Sequence, residues 1–147
     1  MYLMVGTRPD LAYSVGTLAK YVRNPTQLQW DAVKRMMHYV MQTKKVGLMF
    51  GCNAGVLEPM NVYIDSDWAG DVDTRRSMSG LGAMMCGSLV SWYARQQEVV
   101  ANGIVTLEYC PTENMVADMF TKALGRVKLE YFVAIAGMRE VECAETQ

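Results

Sequence analysis

Histidine is nearly absent from this chain of 147 residues: His38 is the only one. The four cysteines, Cys52, Cys86, Cys110 and Cys143, form no C-x-x-C pair and have no histidine at ligand spacing. That pattern argues against a zinc site and for free buried thiols in a reducing compartment. Long apolar runs are missing too, so no stretch suits a membrane span and no membrane partner is expected. The N-terminus lacks a charged segment leading into an apolar core and a cleavage site. The expectation is therefore an intracellular protein, cytoplasmic or nuclear, without a signal peptide. Charge of either sign is scarce: 14 Lys and Arg oppose 15 Asp and Glu, for a net charge of −1. No global basic field advertises a nucleic-acid partner, and any such contact must come from a local patch. Internal repeats and low-complexity tracts are also lacking.

What is present is globular composition, 51% hydrophobic and 20% charged, at a length suited to one ordinary domain or a small domain with an appendage. Thirteen methionines stand out, and methionine fills gaps adaptably while specifying packing weakly. From Pro9, the residues Leu11, Ala12, Val15, Leu18, Ala19 and Val22 follow helical spacing, with proline suited to the first turn. Asn24-Pro25 breaks that helix. Thr26 and Gln29 then make a capping-box start, and Trp30, Val33, Met37, Val40 and Met41 form a second apolar stripe ending near Gly47. His38 shares the polar side of that stripe with Lys34 and Gln42, where a solvated role is expected.

Beyond Gly47 the pattern changes from helix to strand. Residues 48–50 and 60–64 read as short strands, and residues 81–86 and 89–93 flank Gly87-Ser88 as a tight hairpin. Residues 104–110, bounded by Asn102-Gly103 and Pro111, read as a further strand. Thr112 caps a predicted helix with Met115, Val116, Met119, Phe120 and Leu124 on its apolar face; Gly125 ends it, and a last helix is expected over residues 127–136. The order of two helices, mostly antiparallel strands and one or two further helices is that of an α+β fold.

Chemistry concentrates in the stretch NVYIDSDWAGDVDTRRSMSG, where Asp65, Asp67, Asp71 and Asp73 fall within nine positions. Carboxylates this close repel unless water, a cation or arginine separates them. An EF-hand loop is excluded, because Ala69 and Arg76 stand where calcium ligands are required. A polymerase Tyr-x-Asp-Asp hairpin is excluded as well, since Ser66 separates Asp65 from Asp67. Two readings remain. One is a solvated turn in which Arg75 and Arg76 neutralise the acids. The other is a metal site at a strand end, with Asp65 fixed by the strand and Asp67 on the same face. Magnesium-dependent phosphodiester hydrolysis requires several such carboxylates from separate elements.

Five stretches, LMVGTRPDLAYSVG, WDAVKRMMHYV, YIDSDWAGDVDTRRSMSG, SLVSWYARQQEVVA and LEYCPTENMVADMFTKAL, together resemble the C-terminal part of a copia-type retrotransposon Pol polyprotein. That part is the end of the reverse transcriptase followed by its ribonuclease H domain. The resemblance implies a helical segment over residues 1–47, related to the reverse transcriptase thumb or connection. It implies a ribonuclease-H-like domain over residues 48–147, with a mixed sheet and C-terminal helices. It places catalytic, metal-binding carboxylates on Asp65 and Asp118, with Mg²⁺ as cofactor and an RNA–DNA hybrid as substrate. Taken alone, Asp118 reads as an i,i+4 partner of Lys122 on a polar helix face. Arg75, Arg76 and Ser77 resemble the family's R-R-S turn, which implies a phosphate contact; pairing with Asp71 or Asp73 is the structural alternative.

Departures from the family matter equally. The segment carrying its second and third carboxylates is missing, with the seam near Ala101 and Asn102, and neither Glu98 nor Glu108 matches a lost position. No polymerase palm precedes the first helices, so reverse transcription is not expected. The expectation is a truncated remnant without catalysis, in which two carboxylates hold Mg²⁺ weakly or not at all. Its alternatives are a ribonuclease H completed by a partner chain, or a non-enzymatic module binding nucleic acid or protein. A homo-oligomer or a related polyprotein would be its protein partner.

Overall fold

The computed structural model of the chain describes residues 2–51, 60–67, 78–96 and 110–141. A short helix α1 (Tyr2–Gly6) and a 3-10 turn (Pro9–Leu11) lead into α2 (Ala12–Ala19) and α3 (Gln27–Gln42). Strands β1 (Val46–Leu48), β2 (Asn61–Asp67), β3 (Met78–Met85) and β4 (Ser88–Gln96) follow. The chain continues with a single helical turn α4 (Asp118–Thr121), helix α5 (Arg126–Ile135) and strand β5 (Met138–Glu140). The class is α+β.

Pro9 opens the first turn as its fixed φ allows, but that turn is 3-10, a separate helix α1 precedes it, and α2 ends sooner than expected, at Ala19. Val22 lies beyond that end and is exposed. At the start of α3, Gln29 reaches back to accept the backbone N–H of Thr26 at 2.9 Å, the reciprocal cap anticipated from Thr-x-x-Gln. The apolar stripe of α3 does not enter the core. Trp30, Met37 and Met41 are 58%, 60% and 68% exposed. Periodicity defines a helix and a face; it does not supply a neighbour for that face.

β2, β3 and β4 form an antiparallel meander in that order, with Asp65 opposite Gly80 and Gly80 opposite Ala94. Strand Asn61–Asp67 thus lies beside the hairpin, as consecutive strands usually do. The hairpin turn falls one residue before the anticipated Gly87-Ser88. Cys86 and Gly87 take it with φ of 52° and 74°, the paired left-handed geometry of the favoured two-residue turn. Ser88 is instead the first residue of β4; it is buried, and its hydroxyl donates to the Met49 carbonyl. β1 pairs with β5, Val46 opposite Glu140, in a separate two-stranded ribbon. Among the described residues every strand pair is antiparallel. Residues 104–109 of the expected strand 104–110 lie outside them, as does the seam near Ala101–Asn102.

The helix predicted from Thr112 to Leu124 is one turn, Asp118–Thr121, preceded by irregular turns. Its apolar residues nevertheless go where the pattern pointed: Val116, Met119 and Phe120 are buried with Ala12, Leu89, Phe132, Ala136 and Met138. Helix α2 packs on β4 and α4, and the Trp92 indole donates to the Met4 carbonyl at 2.8 Å. Helices α1 and α2 and the sheet therefore share one core. Of the cysteines, Cys86 and Cys110 are free and half-buried rather than fully buried; Cys52 and Cys143 lie outside the described residues.

Candidate functional site

Alternation along β2 sets the site. Val62 and Ile64 face solvent, while Tyr63 and Asp65 are half-buried on the opposite face, against α4. Close approach of α4 depends on Gly80, directly across from Asp65. A Cβ there would stand 2.8 Å from Phe120 Cβ and 2.9 Å from the Ala117 carbonyl oxygen. With no side chain in the way, α4 lies on the sheet and brings Asp118 and Thr121 beside Asp65.

The two carboxylates meet on a lysine. Lys122 Nζ lies 2.9 Å from Asp118 Oδ1 and 3.2 Å from Asp65 Oδ2. The second oxygen of Asp118 takes the ammonium of Lys128 at 3.0 Å, and Thr121 Oγ1 donates to Asp65 Oδ2. Asp118 is only 1% exposed, so its charge is uncompensated by water and depends on these two ammoniums. Burial would lower the Lys122 pKa, but hydrogen bonds and charge from Asp118 and Asp65 outweigh it and raise the pKa above the ordinary lysine value. Lys128 also lies over the Phe132 ring, 5.3 Å from its centroid, a favourable cation–π position.

Asp65 and Asp118, anticipated as a catalytic and metal-binding pair, are therefore brought together with an ammonium between them. Helical spacing identified Lys122 as the partner of Asp118. It gave no sign of the contact from Lys122 to Asp65, of Thr121, or of Lys128 ten residues on. A divalent ion does not fit this arrangement. Three carboxylate oxygens already accept bonds from cationic or hydroxyl donors. Among the described residues, no group of three or more Asp, Glu, His or Cys converges as a metal site would require. Asp67 belongs to β2 opposite Met78. Arg75, Arg76 and Ser77, the anticipated phosphate-contacting turn, lie outside the described residues, as do Asp71, Asp73, Glu98 and Glu108. His38 is exposed, in keeping with a solvated role.

A second polar cluster went unassigned in the sequence. Arg8 grips Asp10 through two bonds, Nε to Oδ1 at 3.0 Å and Nη2 to Oδ2 at 2.7 Å, with both residues 4% exposed. Arg8 also donates to the Thr43 carbonyl and hydroxyl at 3.0 and 2.7 Å, and Tyr39 donates to Asp10 Oδ2 at 2.8 Å. Burial first, then the facing Asp10 carboxylate, pushes the Tyr39 phenol up, against a smaller opposing pull from Arg8. The cluster fastens the 3-10 turn to the end of α3. Pro9 was expected only to open a helix, and a bond reaching 35 residues onward leaves no local pattern.

Fold and site together define a small α+β protein with an acid pair at the junction of a strand and a helical turn. No family model matches the chain, and no solved structure matches it. Among curated proteins it is 44% identical over 109 residues to secreted RxLR effector protein 161 of Plasmopara viticola, covering 74% of this chain and 75% of that protein. It is 35% identical over 138 residues to the retrovirus-related Pol polyprotein from transposon TNT 1-94 of Nicotiana tabacum. That match covers 90% of this chain but 10% of the polyprotein. An uncharacterised mitochondrial protein of Arabidopsis thaliana is 32% identical over 107 residues, 71% of this chain and 90% of that protein. The chain belongs to the family of retrotransposon Pol-derived proteins.

Proposed function

We propose that the chain derives from the copia-type Pol segment joining the end of reverse transcriptase to ribonuclease H, and that it no longer cleaves RNA–DNA hybrids. The order of its five motif stretches supports the ancestry. The observation that carries the functional part is the convergence of Asp65 and Asp118 on the Lys122 ammonium. Hydrolysis in that family relies on several carboxylates whose negative charge is available to cations at the scissile phosphate. Here the charge of the pair is already cancelled by Lys122 and Lys128, and the resemblance supplies no second or third carboxylate. What remains is a strand-to-helix fastening inherited from a catalytic layout. The chain spans only 10% and 8% of two Pol polyproteins it matches, so the activity of those longer proteins is not carried over.

The test is incubation of the purified chain with a labelled RNA–DNA hybrid in millimolar Mg²⁺ or Mn²⁺. No cleavage above buffer is expected, and Asp65→Asn should leave that result unchanged. Cleavage that disappears in Asp65→Asn would overturn the proposal.

A further inference from the structure

We infer that Lys122 is the resident counter-ion of the Asp65–Asp118 pair, and that its single charge keeps divalent cations out of a site the two carboxylates could otherwise form. The inference concerns the geometry of the pair and rests on the preceding proposal only for the origin of that pair. Two carboxylates face two ammoniums, so the cluster is balanced as it stands. A divalent ion entering beside Lys122 would add two positive charges next to an ammonium, and at such separations repulsion exceeds ordinary surface pairing. Entry therefore requires Lys122 to leave, and leaving breaks both of its ion pairs at once.

Spacing favours the ammonium as well. Its contacts of 2.9 and 3.2 Å are roughly an ångström longer than the ~2.0–2.1 Å of a magnesium–oxygen bond. They are the lengths of an ammonium's ion pairs with oxygen. Lys122 is held in place by the chain itself: it follows α4 directly, in extended conformation with φ −127° and ψ 148°. Its side chain returns over the turn to reach Asp118 four residues back. Lys128, on α5, stabilises the other oxygen of Asp118 and would remain after Lys122 is removed. Without Lys122 the pair keeps one surplus negative charge, with Asp65 and Asp118 on rigid elements facing each other. That is a site for one hydrated divalent ion, and Mn²⁺ serves as the probe.

The experiment compares the wild-type chain with Lys122→Met, Lys122→Arg and Lys122→Gln. Melting is followed in EDTA and in millimolar Mn²⁺, and Mn²⁺ binding is titrated by electron paramagnetic resonance. For wild type and Lys122→Arg, the expected result is a midpoint indifferent to Mn²⁺ and no saturable binding. Lys122→Met should melt lower in EDTA, recover part of the loss in Mn²⁺, and bind Mn²⁺ at least about tenfold more tightly than wild type, a difference of about 1.4 kcal/mol. Lys122→Gln keeps hydrogen-bond donors while losing the charge. It should gain Mn²⁺ binding too, and it stands in for Lys122→Met if that variant does not fold.

A third measurement needs no variant. Millimolar Mn²⁺ added to the wild-type chain should leave the amide resonances of Asp118 to Thr121 unbroadened. Saturable Mn²⁺ binding by wild type centred on those amides, or a folded charge-deleted variant that binds no better than wild type, would overturn the inference. Hybrid cleavage addresses the preceding proposal and divalent binding addresses this one, so either can fail alone.

Discussion

At the scale of single residues, the site depends as much on an absent side chain as on charged ones. Gly80 leaves the room into which Ala117, Phe120 and Thr121 settle, and Thr121 in turn holds Asp65. In Gly80→Ala the added methyl meets a backbone carbonyl and the root of a buried phenylalanine, neither of which can swing aside. Overpacking of this kind costs about 1–3 kcal/mol, and a fall of that size in the urea-unfolding free energy is expected. Gly16 in α2 is the control, because a Cβ there meets nothing within 4 Å. Gly16→Ala should leave stability unchanged or raise it by up to ~1 kcal/mol through helix propensity alone. Equal losses at both positions would mean that α4 does not press on the sheet at Gly80. The sequence announced glycine at position 80 but not its neighbour, since the contact partner lies some forty residues away.

At the scale of elements, local chemistry was readable and long-range pairing was not. The Thr26–Gln29 cap, the β2–β3–β4 meander and the last helix follow from patterns within about ten residues. The β1–β5 ribbon joins Val46 to Glu140, and no periodicity in either strand names the other. The Arg8–Asp10–Tyr39–Thr43 cluster is of the same kind, a buried tie between the 3-10 turn and the end of α3. Its energetics give a pH dependence with a definite sign. The folded state holds the Tyr39 phenol protonated above the ~10 of an unfolded tyrosine. The stability it contributes is whole below about pH 10 and is lost as pH rises beyond it, because the unfolded chain releases its proton first. Lys122, also raised, acts in the same direction over the same alkaline range. Tyr39→Phe should lower stability by about 1–2 kcal/mol near neutral pH through the lost bond to Asp10. It should also reduce the further loss between about pH 9 and about pH 11. Urea midpoints at the two pH values decide the matter; a wild-type protein equally stable at both would rule the Tyr39 coupling out.

For the whole molecule, the distribution of apolar surface separates what holds the fold from what the fold merely carries. Leu89, Val116, Phe120 and Phe132 are fully buried between the sheet and the helices around it. The apolar stripe of α3, equally plain in the sequence, lies open. Trp30, Met37 and Met41 contribute nothing to that core, and a groove of about 340 Å³ between α2 and α3 is lined by Val15, Leu18, Val22, Trp30, Val33 and Met36. Amphipathic spacing therefore identified two faces correctly but could not tell which one meets a partner within the chain. Open apolar patches of this kind promote association. Charges placed on the stripe should act on solubility and not on folding. Met37→Lys with Met41→Lys is expected to leave the unfolding free energy within about 0.5 kcal/mol of wild type, as for substitutions away from the core. The same double variant should remain monodisperse in light scattering at concentrations where the wild-type chain associates. A large loss of stability in the variant would place this face inside the cooperative core, and unchanged association would move the sticky surface elsewhere on the molecule, with the exposed Val62 and Ile64 of β2 the next residues to charge.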